Sequence, residues 1–168
     1  TWEGGVRVPL LFRLPGRIPA GRTSGAPVSF MDLKPTVEAL AGGISSVAND
    51  GHDFSAHLLG GAAPEDRLLA FYRDRRLQAM RWGRWKLHVH RPEWKGQEHA
   101  PLLFDLEADP GESNDLAADH PGVVARMLED SARVRMDLGD IARGVVGNGV
   151  REAGQHVVQP PDGSVSDS

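Results

Sequence analysis

The sequence predicts the last part of an α/β domain followed by a small α+β domain. An apolar run, Val6 to Leu14, leads through a loop into an amphipathic segment, as in one strand–helix unit. Short β-type segments then follow from Arg67 to His90, two of them separated only by Gly83-Arg84. A long amphipathic segment, Pro121 to Leu138, comes after one more β-type run.

Composition bounds the size and the partners. With 168 residues, a span of roughly 100–200 residues per domain allows one domain, or a small domain plus part of another. Hydrophobic residues make up 40%, enough for a core, while 25% charged residues and a mean hydropathy of -0.35 favour a water-soluble chain. No apolar run approaches the roughly 20 residues that span a bilayer. The net charge of -4, from 19 basic and 23 acidic residues, weighs against nucleic acid or an anionic membrane as partner. Without cysteine, the chain holds no disulfide, thiolate metal site or cysteine nucleophile, and the compartment stays open. It opens on Thr1 rather than methionine, so the first turn is expected to continue from a preceding segment.

Val6 to Leu14 reads as a strand covered on both faces, with Val8, Leu10, Leu11, Phe12 and Leu14 apolar. Pro15-Gly16 stops it, and the Gly- and Pro-rich stretch to Pro27 is a surface loop. A helix is expected from Asp32 to Ala41. Leu33, Val37, Leu40 and Ala41 draw its apolar stripe, Asp32 caps it, Pro35 sits in its first turn and Gly42-Gly43 ends it. Gly60 to Pro64 is the best domain boundary. The division is therefore 1–63, the end of the larger domain; 64–140, the small domain; and 141–168, an extended, partly disordered tail.

The β signal is clearest around Gly83-Arg84, a two-residue loop suited to a type II′ hairpin. In that register Trp82 faces Trp85, Met80 faces Leu87 and Gln78 faces Val89, making one apolar side. Arg81 with Lys86, Ala79 with His88 and Leu77 with His90 form the other, expected to be at least partly wet. Leu102 to Leu106 is a further strand. Val123, Met127, Val134 and Leu138, broadened by Val124 and Leu128, give the last helix a face that fits the sheet.

Candidate chemistry is sparse. Asp105, Glu107, Asp109 and Glu112 resemble a calcium loop, but Pro110 and Leu116 stand where it needs Gly and Glu, so they read as a turn. His88 and His90 alternate on one strand face without obvious further ligands, and read as polar residues of an open hairpin face. Trp82 and Trp85 form a cross-strand pair, whereas Trp94 in a polar loop is the better surface group. Trp94 and His99 are candidates for the rim of a substrate cleft. Ser29 has no triad partners, and neither a nucleophile elbow nor a phosphate-cradling loop is present. Glu3 and Arg7 flank the Gly4-Gly5 turn, more simply as supports for that loop than as reacting groups. No catalytic residue and no metal ligand is assigned.

The ordered set of segments resembles the C-terminal part of the sulfatase family, above all the arylsulfatases. It is carried by Thr1-Trp2-Glu3-Gly4-Gly5-Val6-Arg7-Val8-Pro9, Pro15-Gly16-Arg17-Ile18, Met31-Asp32-Leu33-Lys34-Pro35-Thr36 and Asp50-Gly51-His52-Asp53. Arg81-Trp82-Gly83-Arg84-Trp85-Lys86, Leu103-Phe104-Asp105-Leu106 and Asp109-Pro110-Gly111-Glu112 continue it. The resemblance implies the end of an alkaline-phosphatase-like α/β domain, then a small domain with a four-stranded antiparallel sheet packed on a helix. It also implies hydrolysis of a small-molecule or glycan sulfate ester, using a formylglycine and a calcium ion supplied by segments before Thr1. The last catalytic lysine of that family falls just ahead of the Thr1 turn, so this chain alone is expected to be inactive. A periplasmic or secreted location follows from the resemblance only. Two alternatives stay open: a phosphonate or phosphate-ester hydrolase on the same fold, and a non-catalytic module that binds a sulfated glycan.

Overall fold

A computed structural model describes residues 1–43, 49–90 and 99–151. Its centre is a four-stranded antiparallel meander in the order β1-β2-β3-β4, formed by Leu68–Arg73, Arg76–Trp82, Trp85–His88 and Leu102–Asp105. Asp74 and Arg75, with φ of 51° and 60°, join β1 to β2, both in the left-handed region that a type I′ hairpin requires. Gly83, at φ 57°, takes the first position of the β2–β3 turn, where the absence of a Cβ makes that angle cheap.

The expected register holds through the hairpin: Trp82 pairs with Trp85, Arg81 with Lys86, Met80 with Leu87 and Ala79 with His88. It fails beyond Ala79. The β1–β2 register shifts between Phe71 and Tyr72, leaving Gln78 as an extra residue on β2. That bulge turns Leu77 into the apolar core, while the Gln78 carbonyl accepts from the N–H groups of both Val89 and His90 at 2.8 and 3.1 Å. The expected Gln78–Val89 and Leu77–His90 pairs therefore do not form.

One face of the sheet carries the core. Leu77, Met80, Leu87 and Leu103 pack with Met127 of the long helix, which spans Pro121–Leu138 as expected. Each such side chain contributes about 1.5–3 kcal/mol on burial. Val123, Val124 and Val134 pack against this cluster, but Leu128 and Leu138 are 39% and 45% exposed. Ser131, one turn beyond Met127, is buried in their place.

The other face is wet at its Arg81 edge but not at its centre. Ala79, Lys86 and His88 are fully buried there, beneath Thr1 to Glu3 and Glu112. Alternation placed these residues on one face correctly; the layer that covers them comes from segments distant in sequence.

Three further expectations change. Val6 to Leu14 is no strand: Glu3–Val6 forms one helical turn (α1), and the residues after it join no ladder among the described residues. Val8, Leu10 and Leu11 are 76%, 46% and 94% exposed. A strand needs a neighbour for its N–H and C=O groups, and the sheet of β1 to β4 offers this segment none.

The helix α2 spans Leu33–Leu40 behind a 3-10 turn at Phe30–Asp32, but its stripe is displaced. Val37 is exposed, whereas Asp32, Pro35 and Thr36 are buried; Thr36 Oγ1 accepts from the Phe54 N–H at 3.1 Å. Ser29 serves as cap, accepting from the Met31 N–H, and Asp32 returns a bond from the Ser29 N–H at 2.6 Å. Asp32 does not cap α2 itself. It accepts instead from the His52 N–H at 2.8 Å and from Arg67, tying α2 to the approach to β1.

Residues 140–149 are folded back rather than extended. Ile141–Arg143 form a 3-10 turn, Asp140 bridges to Val145, and Arg135 Nε donates to Asp140 at 2.9 Å. Residues 152–168 lie outside the described residues.

Candidate functional site

The covered face of the sheet holds a closed cluster of charged groups. Lys86, on β3, has no exposed side-chain surface. Its Nζ donates to Glu3 Oε1 at 2.9 Å and to the Thr1 carbonyl at 2.7 Å, and lies 3.2 Å from Glu112 Oε1. His88, two residues on and therefore on the same face, places Nε2 2.8 Å from the same Glu112 oxygen. The second Glu112 oxygen accepts from the Glu3 N–H at 2.5 Å. Since Glu112 accepts, His88 carries its proton on Nε2, and its Nδ1 is buried without a hydrogen-bond partner.

Aromatic rings seal this cluster. Trp2 lies over His88 with ring centroids 4.3 Å apart, Phe104 meets His88 edge-on at 5.7 Å, and Lys86 Nζ sits 4.9 Å from the centre of Phe71. Thr1 Oγ1 donates to Gln78 Oε1 at 3.2 Å.

Electrostatics explain why buried charges are tolerated here. One lysine serves two carboxylates, and Arg81 stands 3.9 Å from Glu3 Oε2 as a second cation. Burial pushes the Glu112 carboxyl up, but the bonds from His88, the Glu3 N–H and Lys86 outweigh it and hold the group below its ordinary range. Glu112 reaches this position from a left-handed backbone, φ 54°, directly after Gly111. Every carboxylate oxygen but Glu3 Oε2 is engaged at hydrogen-bond distance. Such a cluster fixes a segment in place: its carboxylates are held by cations and N–H groups, and the one ring nitrogen left over, His88 Nδ1, is buried.

The sequence candidates separate in space. Glu3 is in the cluster. Arg7 shares only a backbone bond with it, its N–H donating to the Glu3 carbonyl at 2.9 Å, and its side chain lines an open groove instead. His99 is exposed on the approach to β4, and Trp94 lies outside the described residues. Lys86, His88 and Glu112, which the sequence presents as hairpin and turn residues, are the ones that the structure brings together with Glu3. The available signal was the i, i+2 placement of Lys86 and His88 between apolar neighbours.

The acidic turn after β4 is occupied by internal bonds. Asp105 is paired with Arg84, which holds its carboxyl below the usual range, and Asp109 accepts from the N–H groups of Ser113 and Asn114 at 2.6 and 2.8 Å. Among the described residues no group of three His, Asp or Glu side chains is placed to hold a metal ion.

Residues 64–148 match the family model for the C-terminal region of aryl-sulfatase. The chain belongs to the sulfatase family. It is 36% identical to human arylsulfatase D, over 75% of this chain and 27% of that protein. Identity to human arylsulfatase A is also 36%, covering 77% of this chain and 30% of that protein. The sulfatase PsFucS1 from Pseudoalteromonas sp. superposes with a TM-score of 0.55 at 21% identity, over 72% of this chain and 28% of that one, a likeness of fold. The chain thus spans 27% and 30% of the length of these two arylsulfatases. The sheet, the long helix and the preceding α2 unit are the C-terminal architecture of a sulfatase. No helix among the described residues is long and apolar enough to cross a membrane.

Proposed function

We propose that this chain is the C-terminal portion of an arylsulfatase-like enzyme that converts a sulfate ester and water into an alcohol and sulfate. The observation that carries the reading is the family match over residues 64–148, together with identity to arylsulfatases that reaches beyond it.

Calcium and a formylglycine belong to that chemistry. The residues present do not fit either group: no metal donor set occurs among the described residues, the chain lacks cysteine, and no serine stands two residues before a proline. Both groups are therefore assigned to preceding segments of a longer enzyme, and no chemical step is placed on this chain.

The role left to this portion is support. Glu3, clamped between Lys86 and Arg81, holds the Thr1 to Arg7 turn against the small sheet. Arg7 extends from that turn into the groove, and Trp94 with His99 contributes to the substrate rim. The match beginning at residue 64 supports a boundary between 63 and 64; it runs on to residue 148, past the expected end of the small domain at 140.

The test is hydrolysis of a chromogenic aryl sulfate by a longer protein that carries this chain, beside the 168-residue chain alone. The proposal expects turnover from the first and none from the second. Turnover by the isolated chain would overturn the assignment of the reacting groups to other segments. Tight binding of a sulfated sugar by a longer protein that shows no turnover would favour a glycan-binding module.

A further inference from the structure

An open groove of about 540 Å³ runs beside the charged cluster, and Arg7, Arg81 and Arg84 line it together with Asp66 and Glu107. The volume falls within the roughly 300–1,000 Å³ of small-ligand sites. Its three arginines are not equivalent. Arg84 is committed, through Nε and a terminal nitrogen, to Asp105, and its other nitrogen lies 3.5 Å from Glu107.

Arg81 donates only from Nε, to the Gly83 carbonyl at 2.9 Å. Its Nη1 is ion-paired with Glu3 Oε2 at 3.9 Å, beyond hydrogen-bond reach, so the terminal N–H donors of Arg81 are not taken up by a hydrogen bond. Arg7 is exposed and its guanidinium makes no hydrogen bond or ion pair among the described residues. The groove is therefore lined by two arginines that keep unspent donors, Arg7 with its whole guanidinium and Arg81 with its terminal nitrogens. That geometry matches a planar or tetrahedral oxyanion, which arginine engages with paired N–H donors.

We propose that this groove binds a sulfate or carboxylate group of a small ligand through Arg7 and Arg81. The negative charges on the lining, Asp66 and Glu107, set a limit: Glu107 lies toward Arg84, and Asp66 stands beside Gly83, whose carbonyl Arg81 holds, so the anion seats toward Arg7 with Arg81 at its edge. The site concerns binding and needs no turnover, so it stands or falls separately from the hydrolase reading.

Isothermal titration tests it, using the protein as this chain and within a longer polypeptide that carries it. The probes are inorganic sulfate, a monosulfated hexose and the unsulfated hexose. Both sulfate probes are expected to bind, with affinity falling as sodium chloride is raised, and the neutral sugar is not. Arg7→Gln weakens binding about tenfold, the scale of one hydrogen bond to a charged group, and adding Arg81→Gln abolishes it. Arg133→Gln, on the long helix and outside the groove, leaves it unchanged. Arg7 contacts nothing in the core, so its variant folds if the wild type does.

Binding of the sulfated sugar but not inorganic sulfate would support the site and assign it to an ester-borne anion. Failure of both, equal binding of the neutral sugar, or wild-type affinity in the double variant would overturn it.

Discussion

Lys86 Nζ lies 2.9 Å from Glu3 Oε1, an ion pair between residues 83 apart in sequence with the lysine wholly buried. The pair fastens the first turn of the chain to the middle of the small sheet. Because the same cation also faces Glu112, it holds together three segments: the Thr1 turn, β3 and the loop after β4.

Lys86→Met removes the charge but keeps much of the apolar stem. Two buried carboxylates then lose their common partner, a change that costs about 3–5 kcal/mol. Urea unfolding should show this loss, and a cycle with Glu3→Gln should recover about 0.5–3 kcal/mol of it as coupling. Additive losses would mean that the two side chains act independently.

Glu112 links stability to pH. Its folded pKa lies below the ordinary 4.5, so on acidification the unfolded chain takes up this proton first. The stabilisation is complete above about pH 4.5 and is lost as pH falls through the folded value. Denaturation of the wild type and Glu112→Gln between pH 3 and 7 should show a shallower acid decline in the variant. Some decline persists, since Asp32 and Asp105 are also held low. Identical slopes would remove Glu112 from the account.

Gly83→Ala places a side chain at φ 57°, where an added Cβ also meets Asp66 Oδ2 at 2.7 Å. Asp66 is exposed and can move aside, so the backbone sets the cost, about 1–2 kcal/mol. A drop in thermal midpoint measures it; an unchanged midpoint would mean that the turn relaxes to another type.

How much was legible follows from the kind of signal each element carries. The β2–β3 hairpin was readable because a Gly-X loop and alternation act within a dozen residues, and they gave the Trp82–Trp85 and Met80–Leu87 pairs. The helix from Pro121 to Leu138 was equally local. The Gln78 bulge was not, since the slip opposite Phe71 and Tyr72 changes no composition. Nor was the burial of Lys86 and His88. Polar residues on alternate positions look solvated until Trp2, Glu3 and Glu112 arrive from elsewhere in the chain. Val6 to Leu14 misled for a related reason: an apolar run signals a need for cover without naming what supplies it.

The central claim is tested most directly by the selectivity of a longer protein that carries this chain. Its kcat/KM should be measured for matched aryl sulfate, aryl phosphate and aryl phosphonate esters. The account predicts that the sulfate ester is the preferred substrate. A clear preference for the phosphate or phosphonate ester would contradict it.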